Sequence, residues 1–223
     1  TPKGVQYFRQ LDAGKDAGLD HHRLEGVPLL PGVLGVEFMT VASQHYAGEE
    51  IVELRDVRFE GPVKLYRDKP LTISVDVCSR EAGVIDATLV SYFENPNGKI
   101  IRREHFYAQA LTGQRKEPQI KDLPRLEMPR DPQITKEAVY ERYFHGPVFQ
   151  VLEEISVLGE DGIEVVPISA RPAWLGENKH SDFITNPLLR EVGFQGAGLW
   201  EMAELGRMAL PAGIERLVLK SEE

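Results

Sequence analysis

Apolar positions along this chain follow two rhythms, and the switches between them lay out its elements. Val33–Tyr46 is densely apolar, at Val33, Val36, Phe38, Met39, Val41 and Ala42, as a buried helix is. Gly48 suits the left-handed end of such a helix. Leu71–Val77 instead alternates apolar and polar residues, the period of a half-buried strand. Val84–Phe93 and Ile100–Leu111 read as further strands, with a turn at Asn95-Pro-Asn-Gly98 between them. A short apolar run at Val5–Leu11 and a loop rich in Asp and Gly precede the helix. The first half is thus predicted to be one long helix followed by an antiparallel meander.

The pattern breaks between Gln114 and Pro132, where four prolines and many charges leave few large apolar residues. That composition predicts an extended linker, dividing the chain into residues 1–113, a linker at 114–132, and residues 133–223. The second half opens with an amphipathic helix at Lys136–Phe144, followed by strands near Val151–Leu158 and Ile163–Ala170. Asn186-Pro187 reads as an N-cap followed by proline at the first helical position, starting a helix that runs to about Met208. The halves share a short repeat of helix, glycine, and a strand beginning Ile-x-x-Leu, at Ile51–Val57 and again at Ile214–Leu219. More than fifty residues of the first half follow its copy, but only a few follow the second. The remaining strands of the second sheet are therefore expected outside this chain or from a partner, since an uncovered helix and an unpaired edge are unfavourable.

Composition narrows the class of protein. Hydrophobic residues make up 42% of the 223 residues, and no apolar run approaches the ~20 needed to span a bilayer. The chain begins at Thr1 without a signal-peptide pattern or an initiator Met, and reads as a cytoplasmic piece of a longer protein. Cys78 is the only cysteine, so neither an internal disulfide nor a cysteine metal cluster is available. A net charge of −9 argues against nucleic acid as a partner. Six histidines occur without HxH or HExxH spacing, so no metal site is expected, and no GxSxG nucleophile motif is present.

Three segments carry candidate chemistry. His22-Arg-Leu-Glu-Gly26-Val-Pro-Leu-Leu-Pro31-Gly32 has the form HxxxGxxxxP and runs into the predicted long helix. It places an imidazole on a loop facing a helix N-terminus, whose free N–H groups can receive a carbonyl oxygen. Tyr143-Phe144-His145-Gly146-Pro147-Val148-Phe149 is an aromatic cluster entering a rigid turn. Asn186-Pro187-Leu-Leu-Arg-Glu191-Val-Gly-Phe-Gln195 puts Glu191 and Gln195 four apart on one helix face. Taken singly, these segments also fit a surface loop, a core turn and an exposed carboxylate.

Together, in this order, they resemble the dehydratase domains of polyketide synthases and polyunsaturated fatty-acid synthases. The segments are similar to that family's HxxxGxxxxP, GYxYGPxF and HPxLLDxxxQ motifs, and the resemblance covers nearly the whole chain. Pro31–Glu37 also resembles stand-alone bacterial hydroxyacyl dehydratases, which use a carboxylate in this helix; a helix-surface role for Glu37 is an equal alternative. The resemblance implies an α+β double hot-dog, two antiparallel sheets each wrapped around a long helix. It implies dehydration of a 3-hydroxyacyl thioester to a trans-2-enoyl thioester, the substrate being carried on the phosphopantetheine of an acyl carrier protein with no other cofactor. Acyl carrier protein and neighbouring synthase domains are the implied partners, and a homodimer is compatible. By the same resemblance His22 is the base and Glu191 the acid, with Gln195 steadying the carboxyl group. Gly26, Pro31, Gly32, Tyr143, His145, Gly146 and Pro147 would contact substrate. His22 and Glu191 are then expected to face each other across one pocket, dry enough to keep the histidine neutral and the carboxyl protonated or proton-sharing.

This sequence departs from the family pattern at four positions. Glu191 stands in place of Asp, His145 in place of the second Tyr of GYxYGP, Arg142 in place of its Gly, and Asn186 in place of the His before proline. His21 adjoins His22, though only His22 has the motif spacing. Other readings of the same motifs are a catalytically silent domain that binds or scaffolds the acyl chain, a double-bond isomerase, and a product-template domain.

Overall fold

The computed structural model describes residues 4–114, 134–168 and 183–219. The expected linker, beyond Gln114, and the end of the strand expected at Ile163–Ala170 lie outside the described residues. In the first half, β1 (Val5–Leu11) leads through a helical turn, α1 (Ala17–Asp20), to a small hairpin of β2 (Arg23–Leu24) and β3 (Val27–Pro28). The long helix α2 spans Gly32–Ala47, and Gly48 closes it with a φ of 68°. Four strands follow: β4 (Ile51–Phe59), β5 (Leu71–Glu81), β6 (Val84–Glu94) and β7 (Ile100–Thr112).

The sheet wraps α2 because the two periodicities meet. Val33, Val36 and Met39 of the helix join one buried cluster with inward residues of the strands, among them Leu54, Val75, Leu89 and Ala108. Each large apolar side chain buried in this way contributes about 1.5–3 kcal/mol. Close approach is needed where Phe106 crosses the helix: a Cβ at Gly35 would overlap the Phe106 ring.

The second half comprises β8 (Ile134–Thr135), α3 (Lys136–Tyr140), β9 (Leu152–Gly159), β10 (Gly162–Pro167), α4 (Pro187–Leu205) and β11 (Gly213–Val218). Helix α4 packs on β9, β10 and α2. Val139, Leu152, Ile155 and Leu199 form the centre of a second, smaller core. Two boundaries differ from the sequence reading. Helix α3 stops at Tyr140 rather than Phe144, because His145 leaves the helical path to form a β-bridge with His22. Helix α4 stops at Leu205, where Gly206 takes the left-handed C-cap with a φ of 65°.

The strand order is β1-β5-β6-β7-β4-β11 in the large sheet and β10-β9-β8 in the smaller one. The repeat explains the outermost pairing. β11 runs antiparallel to β4 with Leu217 opposite Leu54, so the leucines at equivalent places in the repeat are direct cross-strand partners. That is the pairing a two-fold relation between the halves requires. The same register sets Arg216 opposite Arg55, a like-charge pair that would destabilise the ladder. Glu53 offsets it by accepting hydrogen bonds from both guanidinium groups. Among the described residues, no helix is long and apolar enough to cross a membrane.

Candidate active site

The loop that carries His22 is shaped by a two-residue turn. Glu25 and Gly26 both have positive φ, 52° and 80°, so β2 folds directly back on β3. Folding back brings Leu29 against His22: the Leu29 N–H donates to the His22 carbonyl at 2.9 Å, and the Leu29 carbonyl lies 3.1 Å from His22 Nδ1. A carbonyl only accepts, so Nδ1 carries the hydrogen and Nε2 keeps its lone pair. His22 is 8% exposed. Burial, reinforced by the nearby His145 and opposed by Glu191, lowers its pKa to about 4. The imidazole is therefore neutral above that pH, as a base must be.

Helix α4 presents the carboxylate. Asn186 caps it by accepting from the Leu189 N–H at 3.4 Å, with Pro187 at the first turn, as the sequence predicts. Glu191, 5% exposed, accepts from Gln195 Nε2 at 2.9 Å across one helical turn. Gln195 is itself fixed by bonds to the Phe149 carbonyl at 2.7 Å and from the Tyr140 hydroxyl at 2.7 Å. Tyr143 donates to the Gln195 backbone carbonyl at 2.8 Å. Glu191 Oε1 also lies 3.2 Å from His145 Nε2. Burial alone would raise the Glu191 carboxyl, but the bond and charge of His145, together with Gln195, outweigh it and leave the carboxyl below its ordinary value. This corrects the expectation of a pocket that raises the acid: the departure at position 145 supplies the opposing partner.

His22 and Glu191, from the two halves of the chain, line one cavity of about 410 Å³. Gly32, Tyr143, His145 and Gln195 also line it. Gly26, Pro31, Gly146 and Pro147 are not among its lining residues, and their contacts shape the walls instead. Gly26 completes the turn behind His22, and Pro31 accepts the N–H groups of Leu34 and Gly35 at the start of α2. Gly146 packs so closely that a Cβ would stand 2.9 Å from His21, and Pro147 starts a short 3-10 turn. His21 and His22 are told apart here: His21 accepts the Val148 N–H at 3.3 Å through Nδ1, while His22 lines the cavity.

Two parts of the wall are hidden in the sequence. Phe59, Phe106 and Phe194 make one apolar side, and the segment from Met208 to Ala212, beyond α4, makes another. No local pattern marks these residues, because strands and loops far apart in sequence bring them together. Glu37 is a second surprise. It is 3% exposed and does not line the cavity. Its oxygens accept from Ile184 N at 2.9 Å, Thr185 N at 2.8 Å and Thr185 Oγ1 at 2.6 Å, tying α2 to the residues that lead into α4. Among the described residues, no group of three or more metal-ligating side chains is present.

The chain is similar to several known proteins. Residues 1–92 match the family model of the polyketide synthase dehydratase domain. A polyunsaturated fatty acid synthase polypeptide from a Thraustochytrium species is 24% identical over 96% of the chain, which spans only 8% of that relative's length. A dehydratase domain of a trans-AT polyketide synthase from Brevibacillus brevis superimposes with a TM-score of 0.80 at 21% identity, covering 96% of this chain and 76% of that one. The dehydratase domain from the CurF module of the curacin polyketide synthase gives 0.78 at 19% identity, with the same coverage. The first 92 residues are thus similar to the polyketide synthase dehydratase family, and the chain as a whole shares the fold of solved dehydratase domains.

Proposed function

We propose that this domain removes water from a 3-hydroxyacyl thioester, giving a trans-2-enoyl thioester, on a chain delivered by an acyl carrier protein of the same synthase. The observation that carries the reading is that a neutral imidazole and a carboxyl group, one from each half, line a single cavity with apolar walls. His22 Nε2 takes the proton from the carbon beside the thioester carbonyl. Charge developing on the carbonyl oxygen is met at the start of α2, where a helix leaves its first N–H groups without internal acceptors and where Gly32 lines the cavity. Glu191 delivers the proton with which the β-hydroxyl leaves. The phenylalanine walls hold the acyl chain and exclude water.

The test is direct. Incubation with a 3-hydroxyacyl carrier protein should give loss of water by mass, and His22→Ala should reduce it at least about a hundredfold. Activity undiminished in His22→Ala would overturn the reading. One observation favours a silent, acyl-binding domain instead: a carboxyl held below its ordinary value has no proton to give near neutral pH. A thioester that binds but never loses water would identify that role.

A further inference from the structure

Two buried histidines make an instructive contrast. His105 has both ring nitrogens occupied, Nε2 with Ser91 Oγ at 2.7 Å and Nδ1 with the Gly61 carbonyl at 3.1 Å, as expected of a histidine that only holds structure together. His145 is likewise buried, at 8% exposed, yet its Nδ1 has no hydrogen-bond partner among the described residues. Among the described residues, its one polar contact through the ring is Nε2 with Glu191 Oε1 at 3.2 Å. Packing fixes its orientation: the Phe144 ring stacks on it at 4.3 Å, and the Tyr143 and His22 rings stand edge-on at 5.1 and 5.2 Å. An imidazole held by rings, bonded to the acid and otherwise unpartnered is a poor structural element. It is well placed to share a proton.

Taking the dehydratase reading as given, we propose that the acid of this site is the Glu191–His145 pair, in which His145 stores the proton that the departing hydroxyl takes. The pair holds one exchangeable proton. As the Cα–H bond breaks, its proton goes to His22 Nε2 and its electrons form the double bond. The Cβ–O bond breaks, and the hydroxyl leaves as water with the proton that Glu191 receives through Oε1 from His145 Nε2 and passes on. The pair is then left as carboxylate and neutral imidazole. One proton passing from His22 to the pair, directly or through water in the cavity, restores the starting state. His145 is also what holds the Glu191 carboxyl below its ordinary value against burial, so the two groups act as one acid rather than as a carboxyl alone. The titratable groups around the pair are His22 from the loop before β2, Tyr140 of α3, Tyr143 beyond it, and Glu60 after β4, which lines the same cavity. His21 stands behind the adjoining turn.

His145→Gln provides the decisive test, since glutamine can still donate to Glu191 but cannot store a proton. With a 3-hydroxyacyl carrier protein, the variant should keep KM within about threefold and lose kcat at least about tenfold at roughly pH 7.5. The alkaline limb of its kcat profile should move at least about one pH unit lower. A kcat unchanged at that pH, or one lowered equally at every pH, would overturn the proposal and leave His145 a structural role. Ring-nitrogen NMR of the histidine-labelled protein gives a readout independent of turnover. The ring-nitrogen resonance lost in His145→Gln should change its chemical shift in Glu191→Gln, since that variant alters the partner of Nε2. An unshifted resonance refutes the pair. Absence of dehydration by the unaltered protein, with the shift present, refutes the dehydratase reading alone.

Discussion

Glu37→Gln probes how the site is built, because Glu37 touches neither the cavity nor solvent. Its carboxylate accepts three hydrogen bonds, from Ile184 N, Thr185 N and Thr185 Oγ1. A glutamine fills the same space but has one oxygen. Placed on the Thr185 side, that oxygen keeps two bonds, now neutral rather than charge-assisted, at a loss of about 1 kcal/mol each. Its NH₂ group then confronts the Ile184 N–H, a partly buried donor left without an acceptor, which adds about 1 kcal/mol. The variant should therefore be destabilised by roughly 3 kcal/mol, a large share of the ~5–15 kcal/mol of a typical domain. Urea unfolding monitored by fluorescence reads this directly, and two-state behaviour is checked by circular dichroism. The bonds also set the entry to α4, so activity with a 3-hydroxyacyl carrier protein should fall even in buffer where the variant is folded, because small misplacement of Glu191 is costly. A stability within about 0.5 kcal/mol of the unaltered protein, the scatter of such measurements, would show that Glu37 does not hold the halves together.

Three further outcomes are expected. Because the folded protein holds the His22 pKa at about 4, the unfolded chain binds more protons between that pH and the ordinary value near ~6.5. Stability should fall as pH drops through this window, by up to roughly 3 kcal/mol; urea midpoints at about pH 7 and pH 4.5 should differ less in His22→Gln, and an equal pH dependence would contradict the buried neutral state. Gly146→Ala sets a Cβ 2.9 Å from His21, so the turn must move at about 1–3 kcal/mol; an unchanged melting temperature would count against the close packing. Glu191→Asp restores the residue that the family resemblance places there and should retain or raise kcat; a fall of about ten- to a hundredfold would show instead that the reach of the longer side chain to His145 and Gln195 sets the rate.

Local chemistry explains what the sequence can show. Helix α2, the meander strands and the start of α4 are all legible, because periodicity and capping are properties of neighbours in the chain. The helix-face pairing of Glu191 with Gln195 belongs to the same class. What escapes depends on distant partners. Helix α3 reads longer in the sequence than in the fold because its pattern stays apolar through Phe144, while the bridge of His145 to His22 bends the chain away. Glu37 looks like a surface carboxylate because nothing nearby announces that Ile184 and Thr185 will point their N–H groups at it. The direction of the Glu191 shift escapes for the same reason: burial can be foreseen from the motif, but not the imidazole bonded to the carboxylate.

The pairing of β4 with β11 has a bearing on synthesis. β4 ends at Phe59 and its neighbour begins at Gly213, so roughly 150 residues must be made before this edge is covered, and at translation speeds of ~5–20 residues per second the nascent chain waits about ten to thirty seconds with that flank open. A bare flat strand would invite other nascent chains during the delay. β4 is poorly suited to such encounters: its register slips between Arg55 and Arg58 against β7, and both side chains remain exposed. The bulge and the charges act as a temporary guard. They stay compatible with one late-arriving partner, β11, whose Arg216 finds Glu53 already in place.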